Sequence, residues 1–128
     1  IGHPDFISAL EKVRQPFNTN SIAQAGAMAA LDDEDHLLET RKVNTEGLQY
    51  FETFCKENGY EFVPSAANFI LIRVGDGQTV FEALQKQRVI TRPMGGYRLP
   101  EWIRLSIGTN GENQRAVEAL KATLANAR

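Results

Sequence analysis

Val89 to Asn113 reads VITRPMGGYRLPEWIRLSIGTNGEN, and its pattern decides the fold. A short strand over 89–92 is stopped by Pro93, Gly95-Gly96 makes a turn, a second strand covers 102–107, and a tight loop leads into a helix. The second strand alternates. Ile103, Leu105 and Ile107 fall on one face; Trp102, Arg104 and Ser106 fall on the other. With the isoleucine–leucine face toward a core, Arg104 points away from it, off a rigid element. A strand holds a guanidinium more firmly than a loop does, and a fixed planar fork suits a carboxylate or a phosphate. Arg92 on the neighbouring strand makes a second such group. Two arginines close together suit an anion of more than one charge.

Working outward toward the C-terminus, Thr109 and Glu112 have the spacing of a capping box, and the last helix places Val117, Leu120 and Leu124 on its buried side. Toward the N-terminus, residues 79–87 form an amphipathic helix carrying Val80, Phe81 and Leu84, and Gly75-Asp76-Gly77 separates it from the preceding strand. That strand, Phe69-Ile70-Leu71-Ile72-Arg73-Val74, is almost continuously apolar, the pattern expected of a strand covered on both faces. Ser65-Ala66-Ala67-Asn68 is a turn, and 60–64 is a short edge strand or extended entry. From Phe62 onward the order is β-β-α-β-β-α. This predicts an α+β fold, a small, largely antiparallel sheet with helices packed on one face.

A long helix precedes the sheet, from about Asp35 to Asn58, ended by Gly59. Leu37 and Leu38 are apolar at its start, and Leu48, Phe51, Phe54 and Cys55 at its end. The waist, 41–47, is nearly all polar, which is the pattern of a helix bridging two bodies. Asp32 to Asp35 is an acidic cluster whose place at a helix start suits a cap better than a metal site. Before it, Ser21 with Gln24 reads as a capping box for an alanine-rich helix with Gly26 in its middle. Such small residues suit tight internal packing or a subunit interface. A first helix begins near Pro4 and carries Phe6, Ile7, Leu10 and Val13. A chain that opens on Ile-Gly and goes straight into this helix reads as a cut piece.

Composition narrows the function classes. The chain has 128 residues and a formal net charge of -2, so no broad basic field draws it to nucleic acid or an anionic membrane. No apolar run reaches membrane-spanning length, and the N-terminus lacks a signal-peptide pattern. One cysteine, Cys55, allows no internal disulfide and favours a reducing, cytoplasmic compartment. No glycine loop has the spacing that cradles a nucleotide. His3 and His36 lie far apart, and no local pattern marks a nucleophile or a general base. The five lysines, 12, 42, 56, 86 and 121, all sit among polar neighbours on helices and read as solvated surface groups.

Three residues stand out as site candidates, each with a plainer alternative. Asn68 either caps its own turn, or orients a ligand or supports an arginine. Arg92 is either an exposed edge residue or an anion contact. Arg104, in mid-strand beside Trp102, must snorkel, pair or bind. No catalytic, cofactor-binding or metal-binding residue is nominated.

Several segments together resemble the C-terminal part of histidinol-phosphate aminotransferase, a family of the fold-type I pyridoxal-phosphate enzymes. They are RQPFNTNS at 14–21, PSAANF at 64–69, VITRP at 89–93, IRLSIGT at 103–109 and Glu112-Asn113. The resemblance covers essentially the whole chain. The Arg-Leu-Ser-Ile-Gly core is common to many class I and II aminotransferases; its combination with Phe-Asn-x-Asn-Ser and an arginine before proline is more specific.

The resemblance implies that residues 1–32 are the tail of a large cofactor domain with a connecting helix, and 33–128 a small C-terminal substrate-binding domain. It implies that Arg104 and Arg92 hold the substrate phosphate or carboxylate, with Asn68 beside them. The Asn18-Thr19-Asn20 segment is similar to one near the active site and dimer interface, with no specific contact carried over. The implied full-length enzyme is a homodimer that uses pyridoxal phosphate. It passes an amino group from a phosphorylated amine or amino acid to a 2-oxo acid, as in histidine biosynthesis. Threonine-phosphate decarboxylase and other class I/II aminotransferases are alternatives, and so, from another class, is a stand-alone, non-catalytic anion-binding domain. The family's cofactor-binding lysine has no counterpart here. The piece alone is therefore expected to be inactive and to bind no cofactor.

Overall fold

A computed structural model describes residues 2–125. The chain divides into two compact units, Ile1–Leu37 and Leu38–Arg128.

The first unit contains helix α1 (Pro4–Glu11) and helix α2 (Ser21–Leu31). Pro4 opens α1, where its missing N–H costs nothing, and the His3 ring accepts from the Asp5 N–H at 3.4 Å. The capping reading of α2 was one residue out. Asn20 is the cap: its Oδ1 accepts from the Ala23 N–H at 2.8 Å, while Ser21 is already helical. Asn20 competes well for that role because its side-chain carbonyl reaches the third N–H directly. Neither helix buries a residue. A Cβ on Gly26 would meet nothing within 4 Å, so the tight packing expected of the small residues in α2 is not made among the described residues.

Helix α3 (Glu34–Asn58) begins in the first unit and runs through the second. The acidic cluster supplies its cap, as Asp33 Oδ1 accepts from the His36 N–H at 2.9 Å. Its C-terminus closes at Gly59, whose φ is +70°, with the Tyr60 N–H reaching back to the Cys55 carbonyl at 2.9 Å. The polar waist also contributes to packing in the second unit. Gly47 is buried there, and a Cβ on it would collide with Ile107 and Asn113.

The second unit continues with β1 (Phe62–Val63), β2 (Phe69–Arg73), helix α4 (Gly77–Lys86), β3 (Arg92–Pro93), a 3-10 turn at Gly95–Tyr97, β4 (Trp102–Ser106) and helix α5 (Asn110–Ala125). The sheet order is β1-β2-β4-β3 and every pairing is antiparallel. This is the α+β class that the element order implied. Ile70, Ile72, Ile103 and Leu105 face one way and meet Leu48, Phe51 and Phe54 of α3, Val80 and Leu84 of α4, and Val117, Leu120 and Leu124 of α5. Burial of that apolar surface, at roughly 25 cal/mol per Å², is the main favourable term in holding the unit together.

Two strand readings need correction. β2 is not covered on both faces within its unit: Ile70 and Ile72 are buried, but Phe69 and Leu71 are only half-buried and Arg73 is exposed. The three helices share a single face, so the apolar outer residues of β2 serve something other than the core. β3 is also shorter than 89–92 and shifted, because the exit from α4 uses the residues before it. Arg88 adopts a left-handed conformation (φ 61°), and the Val89 N–H bonds back to the Leu84 carbonyl at 3.0 Å. Pro93 is the last residue of β3, paired with Ile103, so the strand ends on it rather than before it. That is tolerated because β3 is an edge strand, where the lost donor need not break a ladder.

Cys55 is fully buried between α3 and the core, and burial, with a smaller push from the Glu52 charge, raises its thiol to a pKa of about 11. It is a neutral packing group, not a nucleophile.

Two helix caps carry a pH dependence. Asp76 accepts from the Thr79 N–H and hydroxyl and from the Gln78 N–H, which hold its carboxylate below the usual range. Glu112 closes the expected capping box, accepting from the Thr109 N–H and hydroxyl at 2.8 Å each, and is lowered likewise. A depressed carboxylate stabilises the fold above its unfolded pKa, and that contribution is lost as pH falls through the folded value. Melting curves from about pH 6 to pH 3 should therefore converge between the wild type and the double variant Asp76→Asn/Glu112→Gln, since only the wild type has these charges to lose. Parallel curves would refute the assignment.

Candidate functional site

The candidate site is the outer face of the sheet. Ile103 and Leu105 are locked in the core, so β4 must turn Arg104 outward. The strand register decides what lies beside it. Arg104 stands opposite Leu71 of β2 on one side and opposite Arg92 of β3 on the other. Directly opposed residues in an antiparallel pair share a face, with Cβ atoms roughly 5 Å apart. The two arginines are thus neighbours, although eleven residues separate them in the chain.

The Arg104 guanidinium lies over the Phe69 ring, with Cζ 5.1 Å from the centroid. The ring is a flat, apolar support that offers cation–π attraction without using any N–H. Arg104 Nε is shut off from solvent and has no hydrogen-bond partner among the described residues. Arg92 is exposed and likewise makes no ion pair among them. A third arginine shows the contrast. Arg73, two residues along the same face of β2 from Leu71, is clamped between Glu61 at 2.9 Å and Glu101 at 2.8 Å. One outer-face arginine is already paired with carboxylates, and the other two are not.

Like charges placed opposite each other across a strand pair are destabilising. The Arg92–Arg104 arrangement costs stability by itself, and a bound anion would reverse the sign. A cleft of about 450 Å³, lined by Arg88, Ile90, Ser106, Gly108, Glu112 and Arg115, contains neither Arg92 nor Arg104.

Asn68 sits at the foot of β2. Its carbonyl accepts from the Ile107 N–H at 2.9 Å, and its side chain is exposed. It does not cap its own turn. Ser65 does that, its Oγ accepting from the Ala67 N–H at 3.0 Å. Asn68 directly precedes β2, the neighbour of β4, and the next residue, Phe69, lies beneath Arg104. Sequence reasoning missed Phe69 as the support of the site, because one phenylalanine in an apolar run carries no sign of what rests on it. It also missed Asn44, which hydrogen-bonds to the turn from α3.

No cluster of three or more His, Cys, Asp or Glu among the described residues could ligate a metal ion. All five lysines are exposed, with Lys56 ion-paired to Glu52 and Lys121 resting over the Phe54 ring. No helix among the described residues is long and apolar enough to cross a membrane.

A four-stranded antiparallel sheet, with helices on one face and on the other two opposed arginines that make no ion pair among the described residues, defines an α+β unit. The chain belongs to the class I and II aminotransferases, whose family model matches residues 1–120. Among its relatives, the histidinol-phosphate aminotransferase of Akkermansia muciniphila is 48% identical over 117 residues, covering 91% of this chain and 32% of that protein. Histidinol-phosphate aminotransferase 2 of Ralstonia nicotianae is 44% identical, covering 99% of this chain and 35% of that protein. The chain spans about a third of the length of the curated relatives it matches. Among solved structures, that of the histidinol-phosphate aminotransferase from Sinorhizobium meliloti in complex with pyridoxal-5'-phosphate superposes with a TM-score of 0.86. The identity is 25%, over 98% of this chain and 35% of that one. The aspartate aminotransferase of Thermotoga maritima shares the fold, with a TM-score of 0.78 at 23% identity over 98% of this chain and 34% of that one.

Proposed function

We propose that this chain is the substrate-gripping portion of a pyridoxal-phosphate-dependent aminotransferase that transfers the amino group of histidinol phosphate to 2-oxoglutarate. The observation that carries the reading is the register pair Arg92↔Arg104, neither member ion-paired among the described residues, beside the carboxylate-clamped Arg73. Two guanidinium forks match the charge of a phosphate dianion, and at least one of them can serve a carboxylate of the 2-oxo acid. The 44–48% identity to histidinol-phosphate aminotransferases supports the choice of substrate.

In this reading residues 1–32 are the tail of a large cofactor domain and 33–128 form the small substrate domain of a cytoplasmic homodimer. Asn68 borders the substrate and helps to orient it. The cofactor, when bound, supplies the electron sink for the amino-group transfer. The lysines of this chain do not fit it, since none is desolvated, so no step of the transfer is assigned to these residues and the chain alone is inactive. Its own contribution is to fix the anionic end of the substrate and so orient the amine at the far end.

The test is turnover by the enzyme that contains this chain. Conversion of histidinol phosphate with 2-oxoglutarate, but not of the unphosphorylated amino alcohol at comparable kcat/KM, is the expected result. Decarboxylation of threonine phosphate without transamination of histidinol phosphate would overturn it in favour of the related decarboxylase. The absence of both would favour a non-catalytic anion-binding module.

A further inference from the structure

We propose that Asn44 is a positioning residue for the arginine site, an inference that rests on the anion-binding role given to Arg104 above. Asn44 lies in the waist of α3 and is half-buried. Its Nδ2 donates to the Ala67 carbonyl at 3.1 Å, bridging 23 positions of sequence. The amide orientation is forced, because the flipped side chain would set Oδ1 against that carbonyl oxygen. Oδ1 is then left buried without a hydrogen-bond partner among the described residues. An unsatisfied buried acceptor is costly, and a leucine of similar shape would avoid it. Packing therefore does not account for an asparagine here; the bond to Ala67 does.

Ala67 is the pivot of the segment that delivers the support for Arg104. Its N–H is held by Ser65 Oγ and its carbonyl by Asn44. The next carbonyl, of Asn68, is held by the Ile107 N–H from the end of β4. Phe69 follows at once, and its ring lies under the Arg104 guanidinium. Helix α3 and strand β4 thus grip the turn from two sides. Releasing the α3 side loosens an otherwise exposed segment, and with it the ring against which the guanidinium rests. The anion is held in the ground state and the transition state alike, so the loss should fall on KM rather than on kcat.

The experiment uses the complete enzyme that carries this chain. Asn44→Asp keeps the shape but cannot donate when ionised, and sets a negative charge against the Ala67 carbonyl. Asn44→Leu removes the donor and the orphaned acceptor together, and carries the test by itself if the aspartate variant does not fold. Both should raise KM for histidinol phosphate five- to tenfold, with kcat within twofold, and raise the Ki of inorganic phosphate by the same factor. The melting temperature of Asn44→Leu should stay near the wild-type value. Unchanged KM and Ki, whatever happens to the melting temperature, would reduce Asn44 to a structural role and overturn the inference. Arg104→Gln measured in parallel separates the two claims. If it leaves the phosphate Ki unchanged, the anion site itself is wrong. If it raises Ki while both Asn44 variants do not, only the positioning role fails.

Discussion

Replacing Arg104 by glutamine in the complete enzyme should lower kcat/KM by two orders of magnitude or more for both the phosphorylated amine and the 2-oxo acid. The reasoning starts from geometry. Arg104 is held by the buried neighbours Ile103 and Leu105 and supported by the Phe69 ring, so little side-chain entropy is lost when an anion binds. Hydrogen bonds to charged groups contribute roughly 1.5–3 kcal/mol each, and a bidentate pair makes two of them. Loss of about 3 kcal/mol corresponds to a little over two decades in kcat/KM. Glutamine keeps some polarity and length but neither the charge nor the fork. Arg92→Gln should cost less, roughly tenfold, because Arg92 is exposed and lacks the ring beneath it. Steady-state kinetics with each substrate varied in turn decides the matter. Equal kcat/KM for Arg104→Gln and the wild type would remove Arg104 from the site.

The largest effect on stability is expected at Gly77. A Cβ there would stand 2.6 Å from the Trp102 carbonyl oxygen and 2.8 Å from that of Pro100. Both are backbone atoms and neither can swing aside. Pro100 accepts the Gly77 N–H at 2.9 Å, and the Val74 N–H is tied to the adjacent Glu101 carbonyl at 2.8 Å. Relief of the clash would have to move the start of α4 or the start of β4. Alanine is the better helix former by about 1 kcal/mol, but overpacking against rigid backbone costs up to about 3 kcal/mol and sometimes more. The clash should win, lowering the melting temperature by roughly 10 °C. Gly111→Ala is the control: a Cβ there meets nothing within 4 Å, so it should be neutral or slightly stabilising. Thermal unfolding followed by circular dichroism measures both. Equal melting temperatures for Gly77→Ala and Gly111→Ala would show that the approach of α4 to β4 is softer than these distances imply.

Legibility followed the range of the interaction. The alternation through Ile103, Arg104 and Leu105 depends only on the two-residue repeat of a strand, so it placed Arg104 on the outer face in advance. The Thr109–Glu112 box and the end of the long helix at Gly59 are local for the same reason: the groups that bond are within a few residues of each other. Misreadings came where a local signal had a close competitor. Asn20 outcompeted Ser21 for a cap, and the left-handed turn at Arg88 used residues that otherwise suit a strand.

Sequence by itself thus determined the α+β class, the element order, the outward aim of Arg104 and the family to which the chain belongs. Tertiary structure alone decided that Arg92 stands opposite Arg104, that Phe69 lies beneath it, that Asn44 holds the turn, and that Arg73 is already paired. Each of these joins residues eleven or more positions apart. Their meeting depends on strand register and on how the helices seat against one face of the sheet. Register is set by the summed burial of Ile70, Ile72, Ile103 and Leu105, since a one-residue slip would turn all of a strand's side chains to the wrong face. No short stretch of sequence contains that sum.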